Sequence, residues 1–142
     1  FFIDLSQISK ADFGFMSMEE DAERKNHWVT LSEDGQWRRR VFKGVDIESG
    51  LPGIYFANVI GKDYVDWLGR DKFRTLPCHT QRDLDDGSIF VQTAGDLDYY
   101  LQPDGSAKDR AIIQHLGKDA FFDILQPERK ARVPDFAVRA KE

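Results

Sequence analysis

Cysteine, long apolar runs and an excess of positive charge are what this sequence most clearly lacks. Its 142 residues include one cysteine, Cys78, which excludes an intrachain disulfide and a zinc site built on a pair of cysteines. No apolar run approaches the roughly 20 residues that a membrane-spanning helix needs. The net charge of −5 argues against non-specific binding to nucleic acid or to anionic membranes. We therefore predict no nucleic-acid partner and no membrane partner.

The sequence also lacks the usual signs of secretion. The chain begins at Phe1 without a methionine, which indicates either a fragment or a longer chain with residues before Phe1. The first apolar stretch is too short for the core of a signal peptide, and no Asn-x-Ser/Thr acceptor occurs. We predict a cytoplasmic protein with one domain over residues 1–125. An extended basic strap over residues 126–142 follows, pinned by Val133 and Phe136.

What is present is enough apolar material to close a core, since 41% of the residues are hydrophobic and 13% are aromatic. Two Asp-Gly pairs, Asp34-Gly35 and Asp86-Gly87, lie between apolar stretches. They predict hairpins because glycine adopts positive φ without steric cost. Residues 54–60 are nearly continuous in apolar character and predict a buried strand. We therefore predict an α+β fold, an antiparallel sheet built from hairpins with a few short flanking helices.

Helices are predicted from spacing and capping signals. Residues 63–68 have Tyr64 and Leu68 one turn apart and Gly69 at the end. Ser106 to Asp109 matches a loose capping box that opens a helix ending near Leu116. Residues 18–26 have acids before bases, which fits either a short exposed helix or a solvated loop. Residues 95–105 are predicted to form a loop.

Residue types that could carry chemistry are present, but their spacing favours structural roles. Cys78 and His79 are neighbours, so in a strand their side chains point to opposite faces and cannot form a thiolate–imidazolium pair. Counted from Asp83, a calcium loop would need glycine at position six and glutamate at twelve, and neither is there. The three histidines show no metal-ligand spacing. We predict no catalytic residue, no metal and no cofactor.

Aspartates and adjacent tyrosines instead suggest a protein-binding surface. Tyr99 and Tyr100 follow one another in an aspartate-rich stretch, where two adjacent tyrosines are hard to bury together. Tyrosine offers a large contact area at low entropic cost, and aspartates attract a basic partner. The alternative is that one of the two tyrosines folds back into the core. We predict a partner-binding surface formed by Asp85, Asp86, Asp96, Asp98, Tyr99, Tyr100 and Asp104.

A pattern of glycine, proline and aromatic positions runs from Leu51 to Phe122. It is carried by Leu51–Asn58, Gly61, Tyr64–Phe73, Leu76-Pro77, Asp86-Gly87 and His115–Phe122. The pattern resembles bacterial immunity-type proteins that lie beside polymorphic toxins, including effectors of type VI secretion, and neutralise them by binding. The resemblance covers about half of the chain. It implies an α+β fold with an antiparallel sheet flanked by helices, and it supplies no catalytic residue.

Three functions remain open on the sequence. The first is a non-enzymatic, immunity-type domain that occludes a partner toxin, which the acidic balance favours because many toxins acting on nucleic acid are basic. The second is a small enzyme or a small-ligand-binding domain with an aromatic-lined pocket. The third is a structural domain of a larger polypeptide. A pocket into which titratable groups converge would favour the second, and exposed acidic loops without such a pocket would favour the first.

Overall fold

The secondary structure comes from a computed structural model that describes most of the chain. The described residues are 1–31, 33–36, 38–42 and 49–136, with the backbone alone at 27–31 and 38–42. The helices within them are α1 (Phe2–Ile8), α2 (Glu19–Asn26), α3 (Lys62–Leu68), α4 (Arg70–Phe73), α5 (Leu97–Tyr100) and α6 (Pro103–Leu116). The strands are β1 (Phe13–Met16), β2 (His27–Leu31), β3 (Arg38–Phe42), β4 (Ala57–Ile60), β5 (Thr80–Asp83) and β6 (Ile89–Gln92). This confirms the α+β class.

Four strands form one antiparallel sheet in the order β1-β4-β6-β5, and β2 and β3 form a separate two-stranded sheet. β4 pairs with β1, with Phe13 opposite Ile60, and with β6, with Ala57 opposite Gln92. All four residues of β4 are buried. A strand covered on both faces is mainly apolar, which is why residues 54–60 are nearly continuous in apolar character.

The main apolar cluster includes one face of β6. Ile89 and Val91 of β6 are buried, whereas Phe90 and Gln92 are partly exposed, as strand alternation predicts. The helical residues that join Ile89 and Val91 in the main apolar cluster are Tyr64, Val65, Leu68, Phe73, Ile112 and Leu116. α6 ends at Leu116, where the sequence predicted a helix end, and Gly117 follows it with φ +112°.

Both predicted Asp-Gly hairpins are confirmed, and they share one local geometry. Gly35 has φ +69° between β2 and β3, and Gly87 has φ +85° between β5 and β6. In each turn the preceding aspartate accepts a hydrogen bond from the backbone two residues on. Asp34 accepts from Gln36 N at 3.1 Å and Asp86 from the N–H of residue 88 at 3.0 Å. The aspartate fixes the turn and the glycine supplies the left-handed φ.

Valine at either turn glycine should destabilise the protein. We expect Gly35→Val and Gly87→Val each to lower the free energy of unfolding by roughly 1 kcal/mol or more, because a β-branched residue resists positive φ. Urea unfolding measures the effect. Asp85→Ala in the second turn keeps the glycine and should stay within about 0.5 kcal/mol of the parent. Valine variants as stable as the parent would contradict the turn assignment.

Two predictions near helices need correction. Residues 18–26 do form a helix, α2, but it is not simply exposed, because Asp21 and Asn26 are buried. The predicted loop over residues 95–105 is wrong, since it contains α5 and the start of α6. α6 begins at Pro103 and not at Ser106, because proline in the first turn has a helical φ and lacks only an N–H that has no helical partner there.

The last described stretch lies against the core. Val133 and Phe136, predicted as its contacts, both pack on the main apolar cluster. The ring centroids of Phe136 and Tyr64 are 5.7 Å apart, and Arg132 N donates to the carbonyl oxygen of Asp119 at 2.7 Å. Residues 137–142 of the predicted strap lie outside the described residues.

Among the described helices, none has the length and apolar character that a bilayer crossing would require.

Candidate functional site

A cleft of about 660 Å³ opens between α6 and the segments around residues 53 and 122. Its apolar wall is formed by Ile54, Ile113, Phe121 and Phe122. The volume lies within the roughly 300–1,000 Å³ of typical small-molecule sites.

A short backbone pairing holds one side of the cleft in place. Leu51 and Phe121 form an isolated parallel bridge, in which Leu51 N donates to the Ala120 carbonyl oxygen at 2.9 Å and Phe122 N donates to the Leu51 carbonyl oxygen at 2.8 Å. The preceding Gly50 has φ +104°, and a Cβ there would lie 2.4 Å from the Cβ of Ala131. Glycine at this position lets the strap approach the bridge and fixes the apolar wall.

A buried charged group closes the inner end of the cleft. Lys25 Nζ is within hydrogen-bond distance of four acceptors: Asp109 Oδ2, Tyr100 Oη and the Ile54 carbonyl oxygen at 2.6 Å, and Asp21 Oδ2 at 3.0 Å. The side chains of Lys25, Asp21 and Asp109 are 17%, 3% and 5% exposed. We call Asp21, Lys25, Tyr100 and Asp109 the Lys25 cluster. It joins α2, α5 and α6 to Ile54, which lies in the segment that precedes β4.

The Tyr100 hydroxyl completes the cluster. It lies 2.8 Å from Asp109 Oδ2 and 3.0 Å from Asp21 Oδ2, so it donates to a carboxylate while Lys25 donates to its oxygen. Burial and the two nearby carboxylates raise the pKa of Tyr100 far above its ordinary value. The hydroxyl therefore keeps its proton and acts as a donor between the two acids.

The pKa values of the two carboxyl groups in the Lys25 cluster shift in opposite directions. Burial raises the pKa of Asp109, and Lys25, whose charge is shared with Asp21, does not offset that cost. Burial also acts on Asp21, but Lys25 and the hydrogen bonds from Arg24, Lys25 and Ser17 outweigh it and lower the pKa of Asp21. One lysine thus serves two acids, and the acid with the additional arginine is the more stable anion.

One oxygen of Asp109 is unpaired. Asp109 lines the cleft, is 4% exposed, and its Oδ1 is buried without a hydrogen-bond partner among the described residues. An unsatisfied buried polar atom costs about 1–3 kcal/mol, and native proteins contain few of them. The sequence placed Asp109 in a capping box, which is wrong, because α6 begins six residues earlier.

The charge around the cleft is mixed, with an excess of bases. The basic lining residues are Arg24, Lys25, Arg110, Lys118 and Arg129. The acidic ones are Asp109, Asp119 and Asp123. Among the described residues the Arg110 and Lys118 side chains have no hydrogen-bond or ion-pair partner, whereas Arg24 pairs with Asp21 at 2.7 Å and Arg129 with Asp119 at 3.4 Å.

The predicted partner-binding residues are only partly assembled by the fold. Asp85 and Asp86 lie in the β5–β6 turn, at the start of β6. The other predicted residues lie between Asp96 and Asp104 and come after the opposite end of β6. This strand is about 13 Å long. The turn therefore does not support the surface around α5.

Around α5 the tyrosines separate. Tyr99 is 42% exposed, whereas Tyr100 is 1% exposed, so the prediction of Tyr100 as an exposed contact residue is wrong. In a short helix, neighbouring side chains point about 100° apart, so one turns outward when the next is anchored in the core. Asp96 caps α5 by accepting from Tyr99 N at 2.7 Å, while Asp98 and Asp104 are exposed.

The other candidate residues have structural settings. Cys78 is partly buried beside the apolar cluster, which raises the pKa of its thiol, and His79 is exposed. Both precede β5, which begins at Thr80. Within the described residues, no group of three or more histidine, cysteine, aspartate or glutamate side chains could hold a metal ion.

The sequence does not predict the residues of the Lys25 cluster as a group. Asp21 and Lys25 are spaced as a helical ion pair, and that spacing was visible. Their burial was not, because it depends on Tyr100 and Asp109, which lie 79 and 84 positions from their partners in the cluster.

The opposite pKa shifts predict opposite pH dependences for two variants. A lowered carboxyl pKa stabilises the fold above the unfolded pKa near 4, and this stability is lost as the pH falls through the folded pKa. Asp21→Asn should therefore lose stability relative to the parent as the pH rises. A carboxyl whose folded pKa is raised costs stability as the pH rises from the unfolded pKa towards the folded pKa. Asp109→Asn should therefore gain stability relative to the parent as the pH rises.

Urea midpoints of the three proteins from about pH 3 to about pH 7 test this pair of signs. The parent serves as the reference at each pH, so that the titration of other groups cancels. Parallel pH profiles of Asp21→Asn and Asp109→Asn would contradict the assigned directions.

Comparison of the chain with family models, with curated proteins and with solved structures found no match in any of the three.

Proposed function

We propose that this chain is a non-catalytic binding domain of the cytoplasm that takes a small ligand in the cleft beside α6. The observation that carries the proposal is the cleft itself, about 660 Å³ in volume, with an apolar wall beside Lys25 and Asp109 of the Lys25 cluster. The apolar wall would remove the body of a ligand from water.

The rigidity of the surroundings supports the proposal. Lys25, Tyr100 and Ile54 hold Asp109 and the cleft wall through hydrogen bonds of 2.6–2.8 Å. Binding sites work best when their polar groups are fixed before the ligand arrives, because less conformational entropy is then lost on binding. The cleft would bind an apolar molecule without ordering new side chains at its inner end.

Filling the cleft tests the proposal with a neutral probe, phenylnaphthylamine, whose fluorescence rises in apolar surroundings. The parent should bind one equivalent. Ser106→Trp places an indole at the cleft, which Ser106 lines, and should weaken binding at least about tenfold, equivalent to about 1.4 kcal/mol.

The control is Ala111→Trp on the same helix, at an exposed position outside the cleft lining, which should bind as the parent does. Failure of the parent to bind, or equal binding by both tryptophan variants, would overturn the proposal.

A second candidate is the immunity-type function, neutralisation of a toxin by protein binding. It is favoured by Tyr99, which is exposed on α5 next to the exposed Asp98. The Lys108 ammonium lies 5.7 Å from the Tyr99 ring centroid. The ammonium covers one face of the ring and leaves the ring edge for a partner. In this candidate the contact surface is reduced to Asp96, Asp98, Tyr99 and Asp104.

The toxin test uses the product of a neighbouring toxin gene as the ligand. Tyr99→Ala should keep the melting temperature of the parent and dissociate faster, while added salt should slow association. Tyr100→Phe is the matched control, since it alters the buried tyrosine and should lower the melting temperature without affecting capture. Capture that is unchanged in Tyr99→Ala would remove α5 from the interface.

A further inference from the structure

The charge at the cleft is reversed relative to the rest of the chain. The whole chain carries −5, yet five bases and three acids line the cleft. Electrostatic attraction of a ligand depends on the local field more than on the net charge of the protein, and a partly enclosed site concentrates that field. An anion should therefore be attracted more strongly to the cleft than to the chain as a whole.

Two of the three acids at the cleft are paired with bases. Asp119 pairs with Arg129, and the charge of Asp109 is offset by Lys25, 2.6 Å away. Asp123 Oδ1 accepts from the backbone N–H of Leu125 at 2.9 Å and keeps its charge. Against this one acid stand two bases of the cleft lining, Arg110 and Lys118.

Two of the bases remain available to a ligand. Arg110 follows Asp109 on α6 and is exposed, and Lys118 is exposed just after the end of α6. Within the described residues neither side chain has an ion-pair or hydrogen-bond partner. Arginine is suited to planar acidic groups, because its guanidinium donates two parallel hydrogen bonds to a carboxylate, sulfonate or phosphate.

The apolar part of the cleft sets the other half of the ligand. Ile54, Ile113, Phe121 and Phe122 form a continuous apolar wall. Leu125 at the same site is 87% exposed and would be covered by an occupant. Each apolar square ångström removed from water contributes about 25 cal/mol, so a ring system or an acyl chain gains most of its affinity here.

We propose that the cleft binds a small amphiphilic anion, an apolar body with one acidic headgroup, and that Arg110 holds the headgroup. This inference rests on the proposed ligand-binding function and names its ligand class. The apolar body lies along Phe121 and Ile113, and the headgroup lies outward, where Arg110 remains hydrated enough to exchange water for the anion.

A pair of probes that differ only in charge tests the ligand class. Anilinonaphthalene sulfonate has the same ring system as phenylnaphthylamine with one added sulfonate. The parent should bind the sulfonate about five- to tenfold more tightly, as expected for one partly desolvated charged hydrogen bond. Salt should weaken sulfonate binding and leave the neutral probe unaffected.

Arg110→Gln should bring the ratio of the two dissociation constants close to one. Arg82→Gln removes the same charge at an exposed position on β5, outside the cleft lining, and should keep the ratio of the parent. Equal affinity of the parent for both probes, or equal loss of sulfonate binding in the two arginine variants, would overturn the amphiphilic anion. Failure of both probes to bind would instead overturn the ligand-binding function itself.

Discussion

Lys25→Met should lower the free energy of unfolding by about 3–5 kcal/mol, the usual cost of removing one partner from a buried ion pair. The substitution keeps the length and apolar stem of the side chain but leaves Asp109 without a cation and Asp21 with Arg24 alone. Two like charges in a poorly solvated site repel, and the four acceptors around Nζ lose their donor. Urea unfolding at neutral pH measures the loss.

Two further variants make the interpretation specific. Arg24→Gln removes the outer partner of Asp21. The Arg24 side chain is 63% exposed, so its loss should cost less than about 1 kcal/mol of stability. Adding Asp109→Asn to Lys25→Met removes one of the uncompensated charges and should recover part of the stability. A Lys25→Met variant no less stable than Arg24→Gln would contradict a buried, charged cluster.

Gly105→Ala should destabilise the protein by about 3 kcal/mol, at the upper end of the range for overpacking. The new Cβ would lie 2.2 Å from the Tyr99 carbonyl oxygen and 2.5 Å from the Tyr100 Cα. Both are backbone atoms, so α5 would have to move away from α6. In an exposed helix the same change adds about 1 kcal/mol of stability through helix propensity, so the sign of the effect distinguishes contact from propensity.

Gly35→Ala is the matched control for this substitution. Gly35 has φ +69° and nothing within 4 Å of a Cβ, so the variant experiences backbone strain alone, about 1–2 kcal/mol. Thermal or urea unfolding of both variants compares the cost of the steric contact at Gly105 with the cost of backbone strain at Gly35. Gly105→Ala as stable as the parent would mean that α5 and α6 do not approach as closely as described.

The parts of the fold that sequence reasoning predicted are those with local causes. Asp34-Gly35 and Asp86-Gly87 predict hairpins because the positive φ and the hydrogen bond to the aspartate lie within a few consecutive residues. The buried strand β4 is predictable because burial of both faces of a strand favours a run of apolar residues. Gly69 and Gly117 predict helix ends for the same local reason.

The errors come from residues whose conformation depends on distant parts of the chain. Pro103 and Gly105 are common in loops, but here proline begins α6 and glycine allows α5 to pass close to it. Tyr100 lies in an acidic stretch that suggests exposure, yet Lys25 and Asp109 offer it hydrogen-bond partners inside the protein. No local pattern contains these contacts.

The cleft could not be predicted for the same reason. Its wall combines Ile54 with Ile113 and Phe121, which come together only after the segment near Leu51 pairs with the chain beyond α6. The aromatic-lined pocket that the sequence suggested as an alternative has its aromatic residues at Phe121 and Phe122.

The contacts of Lys25 also imply an order of events during folding. Its partners Ile54, Tyr100 and Asp109 are 29, 75 and 84 positions away, and each closure of a long loop costs entropy before any contact can repay it. Hairpins closed by short turns can form early and separately, whereas the ammonium group finds all of its acceptors only when three distant segments have met. Until then Lys25 stays in water, so a partly assembled chain gains nothing from it, and the last step of assembly gains most.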